Sequence, residues 1–262
     1  PAFAQKTKLT VYTALENDQL EPFKKAFEAD NPTIEIAWVR DSTGVVAAKL
    51  IAEKDNPRAD IIWGLAASNV GLMASMGMLE PYTPAGADKL KSSFRSGKTP
   101  DTWIGMDAYL SVVCFNTAEA EKGKKPKPAS WADLTKPEYK GLFVTPGASS
   151  SSPGLAFLLT TIAAYGDHWP DYWSKLMANG TKITSGWSDA YEVDFTQGGG
   201  KGDRPIVLSY DSSPAFTIAD DGTSTTSALL DTCFRQVEYA GVLDGAENPE
   251  GAEALVDFLL TP

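Results

Sequence analysis

The sequence predicts an α/β protein built as two lobes joined by a hinge, with a ligand cleft between them. Three observations predict it. From Lys8 to Ser68 the chain alternates β-type and helix-type patterns in the rhythm strand, helix, strand, helix, strand, helix. A second alternation begins after Met106. Two extended apolar stretches, near Ala108–Asn116 and near Asp231–Ala240, are placed to carry the chain out of the first lobe and back into it. The rhythm implies βαβ units and a parallel sheet. The expected boundaries are 1–107 with 237–262 for the first lobe and 108–236 for the second.

Each element follows from its residues. Lys8–Thr13 alternates, with Leu9, Val11 and Thr13 on one side, and is the first strand. From Asn17 to Asp30 the apolar residues Leu20, Phe23, Ala26 and Phe27 recur at the helical three-and-four spacing, and Asn31-Pro32 ends the helix. Thr33–Val39 is the second strand, Val45–Lys54 the second helix with Asn56-Pro57 as its stop, and Asp60–Gly64 the third strand, with another helix from about Ser68. Beyond the strand Ala108–Asn116 comes the basic, proline-bearing loop Glu121–Ala129, which lacks interleaved aromatic residues and reads as a solvated loop. A short helix begins at Trp131. Leu142–Thr145 is a strand, Gly154–Tyr165 a strongly apolar helix, Asp171–Asn179 a helix stopped at Gly180, and Gly198–Gly200 a loop tip. Ile206–Tyr210 is a buried strand, Arg235–Val242 returns to strand character, and Pro249–Leu260 is a final amphipathic helix.

Composition narrows the function. The 262 residues, 43 % of them hydrophobic, can form a substantial core without metals or disulfides. The net charge of −11 argues against nucleic acid, whose binding depends on basic residues neutralising phosphates. No apolar run approaches the ~20 residues of a membrane span. Pro1-Ala2-Phe3-Ala4-Gln5 contains the Ala-x-Ala pattern that ends a secretory signal, so the chain is expected to be exported, with the signal peptide itself not part of this chain. Cys114 and Cys233 each sit in an apolar strand-like run, and buried free thiols are expected rather than a disulfide. His168 is the only histidine, and no zinc or other metal motif occurs. Gly-x-Ser-x-Gly, Walker and Rossmann fingerprints are absent, no cofactor is implied, and the chain is not expected to be an enzyme. A phosphoester hydrolase is the disfavoured catalytic alternative.

Four constellations carry the binding chemistry. Asp41-Ser42-Thr43-Gly44 is a strand-to-helix turn whose first-turn N–H groups and helix dipole suit a phosphate, phosphonate or carboxylate, although an ordinary N-cap uses the same residues. Ser149–Ser152 before Pro153 is the same device in the second lobe, with Ser151 and Ser152 as candidates and Pro153 at the first helical position. Trp187 and Tyr191, in Thr184-Ser185-Gly186-Trp187-Ser188-Asp189-Ala190-Tyr191, set aromatic faces beside small polar residues and an acid. Tyr210 and Asp211, in Ser209-Tyr210-Asp211-Ser212-Ser213-Pro214, do the same. Such faces hold a cationic or heteroaromatic ligand by stacking and cation–π attraction. Tyr12, Glu16 and Tyr109 lie at expected strand ends and are read as completing the pocket.

At these residues the chain resembles the periplasmic solute-binding proteins of ABC importers. Val11-Tyr12-Thr13-Ala14-Leu15-Glu16, Arg40-Asp41-Ser42-Thr43-Gly44, Ala52-Glu53-Lys54-Asp55-Asn56-Pro57, Trp63-Gly64-Leu65-Ala66-Ala67 and Lys136-Pro137-Glu138-Tyr139-Lys140-Gly141 resemble the 2-aminoethylphosphonate- and ferric-iron-binding group. Ser152-Pro153-Gly154-Leu155, Ser185–Tyr191, Ser209–Pro214 and Gln236-Val237-Glu238-Tyr239-Ala240 resemble thiamine-binding proteins. The mosaic suggests a recombined or designed chain. The resemblance implies a type II periplasmic binding fold, a small-molecule ligand captured by hinge closure, delivery to a membrane permease, an extracytoplasmic location and a monomer. It implies that Asp41, Ser42, Thr43 and Gly44 hold an anionic head with help from Ser151 and Ser152, while Trp187, Tyr191, Tyr210 and Asp211 hold a cationic organic end. Thiamine or its phosphate leads. 2-Aminoethylphosphonate follows, then a scaffold with weak or no binding. Iron is disfavoured because no adjacent pair of tyrosines occurs. The family pattern continues beyond Pro262, where thiamine binders are expected to add a further stacking aromatic residue.

Overall fold

In the computed structural model, the residues described are 5–91, 104–105, 111–118, 127–198 and 201–261. The chain divides into two compact units, Pro1–Leu110 with Val237–Pro262, and Ser111–Gln236.

The first unit is a five-stranded sheet with helices on both faces. Its strands are β1 (Thr7–Thr13), β2 (Ile34–Arg40), β3 (Ile61–Ala66), β4 (Ile104–Gly105) and β10 (Glu238–Val242), in the order β2-β1-β3-β10-β4. β1 runs parallel to both β2 and β3, whereas β10 is antiparallel to β3 and β4. Because side chains alternate across a strand, β1 and β3 feed two cores. Leu9, Val11, Ile61 and Trp63 pack with Leu20 and Phe27 of α1 (Asn17–Asp30) and Leu255 of α6 (Pro249–Leu259). Tyr12, Ile62 and Leu65 pack with Val46 and Leu50 of α2 (Thr43–Ala52) and Val70 and Met73 of α3 (Ala67–Ser75).

Local chemistry sets the helix starts. Glu16 and Gln19 form a reciprocal capping box at α1, and the Asn248 side chain accepts the Gly251 N–H at 3.0 Å ahead of Pro249 in α6. The buried Asp60 carboxylate accepts the N–H groups of Thr10 at 2.7 Å and Asn248 at 2.8 Å, tying β1 to the entry of α6.

The second unit has the strand order β7-β6-β8-β5-β9, with β5 (Ser111–Ala118), β6 (Phe143–Pro146), β7 (Lys182–Thr184), β8 (Ile206–Tyr210) and β9 (Thr226–Gln236). β6 is parallel to β7 and β8, while β5 is antiparallel to β8 and β9. One sheet face carries Phe143, Ile206 and Leu208 against Phe157 of α4 (Ser152–Tyr165) and Tyr172 and Leu176 of α5 (Trp169–Ala178). The other carries Val144 and Val207 against Ala190, Tyr191 and Phe195.

The structure corrects several expectations. Cys233 is disulfide-bonded, not a free thiol, and Cys114 is the only other cysteine in the sequence. Strand neighbourhood is the reason. β5 and β9 pair antiparallel, and their register shifts between Val113↔Phe234 and Phe115↔Leu229, which sets Cys114 opposite the bulge that contains Cys233. β9 is an eleven-residue strand of which only the end was legible. Residues 189–194 form a π-helix that the sequence did not signal, and Pro153 is the second residue of α4. Most of the Glu121–Ala129 loop and the Gly198–Gly200 tip lie outside the described residues.

Candidate ligand-binding site

In the second unit, three parallel strands end at one edge. Val144 pairs with Lys182, Pro146 with Thr184, and Val144 also with Val207, so β6, β7 and β8 finish side by side. Their following loops carry the serine run, the Trp187–Tyr191 segment and the Tyr210–Pro214 turn. Ligands of open α/β sheets sit at such carboxyl edges. The loops are joined directly: Gly147 N–H donates to Thr184 O at 2.9 Å, and Ser151 N–H to Gly147 O at 3.0 Å.

The aromatic group is contiguous. Trp187 stacks on Tyr191 with ring centroids 4.7 Å apart and planes 12° apart. Tyr210 lies 5.9 Å from Trp187, tilted by 40°. Tyr191 is backed in turn by Phe195 at 5.5 Å. The π-helix Asp189–Asp194 turns Tyr191 inward, and such wide turns often occur at functional sites. Tyr191 is buried and Trp187 half-buried, so Tyr191 supports the indole and Trp187 keeps partial access to solvent. Burial pushes the Tyr191 phenol up to about 12.

Polar contacts fix the rings. Trp187 Nε1–H donates to Ser209 Oγ at 2.9 Å, Ser209 Oγ lies 2.7 Å from Ser213 Oγ, and Tyr210 N–H donates to Ser213 Oγ at 3.1 Å. Asp189, which accepts a hydrogen bond from Ser185, and Asp211 are exposed carboxylates on the same two loops. Aromatic faces flanked by acids suit a cation.

Ser151 is the N-cap of α4 and is 5 % exposed, and its Oγ has no hydrogen-bond partner among the described residues. A buried hydroxyl without a partner, at the positive end of a helix, is placed to meet a ligand acceptor or a water. Ser152 is buried beside it.

In the first unit, β1 and β2 end together at Thr13 and Arg40, and Asp41 N–H donates to Thr13 O at 3.3 Å. Glu16, Asp41, Ser42, Thr43 and Gly44 therefore share one sheet edge. Glu16 caps α1 and pairs with the Arg40 guanidinium, whose Nε–H also donates to Leu15 O at 3.0 Å. At the start of α2 the Ser42 side chain makes no capping bond, and Ser42 N–H donates to the Asp41 carboxylate at 2.7 Å. An acid already occupying that amide weakens the case for a bound anion there.

Tyr12 does not join this edge. Strand alternation turns it beneath α2, where it is 2 % exposed, its hydroxyl donates to Glu53 at 2.9 Å, and Lys49 stands over its ring. Glu53 follows the last turn of a ten-residue helix, about 15 Å from the Ser42 end. The described contacts of Tyr12 are those of a core residue. Tyr109 lies outside the described residues. Ser209, Ser213 and Phe195 were not singled out from sequence. The spacing of Ser209 and Ser213 around the end of a strand was the available signal for the first two.

Residues 13–262 match the family model for bacterial extracellular solute-binding proteins. The thiamine-binding periplasmic protein of Salmonella typhimurium is 31 % identical over 270 residues, covering 100 % of this chain and 78 % of the relative. The Escherichia coli protein of the same name is 31 % identical over 276 residues, again covering 100 % of this chain and 78 % of the relative. A solved periplasmic thiamin-binding protein superposes with a TM-score of 0.82 at 30 % identity, covering 98 % of this chain and 79 % of that one. The periplasmic binding protein P5PA gives a TM-score of 0.84 at 22 % identity, over 98 % of this chain and 80 % of that one, a likeness of fold. Both thiamine-binding relatives align along the whole chain, across both halves of the mosaic. The chain belongs to the bacterial extracellular solute-binding protein family and is a substrate-binding protein of an ABC transporter with the type II periplasmic fold.

Proposed function

We propose that this chain binds thiamine or thiamine phosphate in the periplasm and delivers it to a membrane permease as a monomer. The observation that carries the reading is the Trp187–Tyr191–Tyr210 cluster flanked by Asp189 and Asp211. A thiazolium is a flat cation, and an indole with acids nearby attracts one by stacking and by charge. Thiamine-binding relatives aligned over the full chain support the same ligand. In this reading Ser151 and the amides at the start of α4 take the hydroxyethyl or phosphate end, and Asp211 adds negative charge beside Tyr210.

2-Aminoethylphosphonate is the second reading, favoured by the Asp41-Ser42-Thr43-Gly44 turn at the start of α2. The Asp41 carboxylate on Ser42 N–H opposes it. Titration calorimetry with thiamine, thiamine phosphate and 2-aminoethylphosphonate separates the possibilities. Saturable heat with thiamine or its phosphate supports the proposal. Heat with 2-aminoethylphosphonate alone overturns it in favour of the second reading, and heat with none of the three identifies a scaffold.

A further inference from the structure

Every aromatic residue of the cluster is bonded, directly or through one serine, to Ser213. The Trp187 indole N–H can only donate, so Ser209 Oγ accepts it at 2.9 Å, and Ser209 Oγ lies 2.7 Å from Ser213 Oγ. Tyr210 N–H donates to the same Ser213 Oγ at 3.1 Å, and the Tyr191 hydroxyl donates to the Ser213 carbonyl at 3.4 Å. Ser213 is 4 % exposed and Ser209 is wholly buried, so bulk water does not compete for these bonds. Ser213 opens the short 3-10 helix Ser213–Phe216, which starts three residues after β8 and holds its hydroxyl back over the strand end.

We infer that Ser213 is the positioning residue of the aromatic platform, setting the plane of Trp187 through Ser209 while holding the Tyr210 backbone and the Tyr191 hydroxyl. The inference rests on the reading of Trp187 as a ligand surface, and it assigns Ser213 no ligand contact. A free indole ring can swing about two side-chain torsions. Tyr191 fixes one face by stacking, and the Ser209–Ser213 link fixes the edge. Removing the Ser213 hydroxyl leaves Ser209 and Tyr210 N–H each one partner short and frees the ring to turn. Affinity then falls because the platform is no longer held ready, although no atom that meets the ligand has been deleted.

The test uses the full chain labelled with 15N. The Trp187 indole N–H resonance is identified by its loss in Trp187→Phe, which leaves the other six of seven tryptophans in place. In Ser213→Ala that resonance is expected to shift and broaden while the other six hold, and thiamine affinity to fall about tenfold, the upper range for one lost hydrogen bond. Ser209→Ala is expected to give the same pattern, and the double variant no more than the larger single loss. Tyr191→Phe, which keeps the ring, is expected to shift the same resonance by less, and it reads the network if Ser213→Ala fails to fold. An unmoved Trp187 resonance in these variants overturns the inference, as does a general movement of all seven or an additive double variant. If the unaltered protein binds no thiamine, the proposed function fails, and the resonance experiment still decides the role of Ser213.

Discussion

The Trp187 indole and the Tyr191 phenol ring lie face to face, with centroids 4.7 Å and planes 12° apart, and they belong to consecutive turns of one irregular helical segment. One face of the indole is therefore filled by the protein, and recognition falls to the other. Replacing Trp187 tests that division. Trp187→Ala is expected to weaken thiamine binding by about tenfold to a hundredfold, and Trp187→Phe by less, because phenylalanine keeps a smaller aromatic face. Calorimetry reads both. Equal loss in the two variants would mean that the indole hydrogen bond, not the ring face, carries the effect.

Tyr191 should leave a mark on alkaline stability. Its phenol is pushed up to about 12 by burial, from an ordinary value of 10.0. Folding thus favours the protonated ring. The contribution is fully present below pH 10 and is lost as pH rises through about 12, when the unfolded chain has already released its proton. Tyr172, also raised by burial, acts in the same direction. Urea midpoints measured from pH 9 to pH 12 should fall across that window, and the fall should be shallower in Tyr191→Phe. An identical slope in the variant would contradict the assignment.

The disulfide at Cys233 offers a stability test confined to the second unit. It closes a loop of about 120 residues if Cys114 is the partner, and a cross-link of that kind stabilises by about 2–4 kcal/mol. Cys233→Ser is expected to lower the urea midpoint accordingly, and added reductant to lower that of the unaltered protein to a similar value. Hydrogen exchange should accelerate in β5, β8 and β9 first. A midpoint unmoved by both treatments would contradict a stabilising role.

Gly154 shows how tightly α4 meets the strand it follows. A Cβ there would sit 2.4 Å from Pro146 O and 2.6 Å from Gly147 O, both backbone atoms with little freedom to retreat. Gly154→Ala is expected to cost about 1–3 kcal/mol by overpacking and to displace the Gly147–Ser151 loop. Thermal unfolding measures the cost. If Ser151 holds the polar end of the ligand, affinity for thiamine phosphate should drop more than affinity for thiamine.

The alternation of Leu9, Val11 and Thr13, the three-and-four spacing through Phe27, and the apolar Ile206–Tyr210 run made both sheets and most helices readable, because burial imposes period and the period is local. The misses are the features that depend on neighbours. Cys114 falls opposite the stretch of β9 that holds Cys233 because β5 lies next to β9, which spacing cannot show. Tyr12 sits at the end of a strand but on the face beneath α2, and end-of-strand reasoning does not choose a face. The π-helix at 189–194 mixes acids with Ala190, Tyr191 and Val193 in no regular period. In the candidate site, Trp187, Tyr191 and Tyr210 stood out as rings in polar company, whereas Ser209 and Ser213 gain their meaning only once β8 brings them beneath the indole.

A crystal structure of the protein grown with thiamine tests the central claim most directly. The account predicts the thiazolium or pyrimidine ring stacked on the open face of Trp187, opposite Tyr191 and within reach of Tyr210 and Asp211. A thiamine bound elsewhere, with that face of Trp187 uncovered, would contradict it.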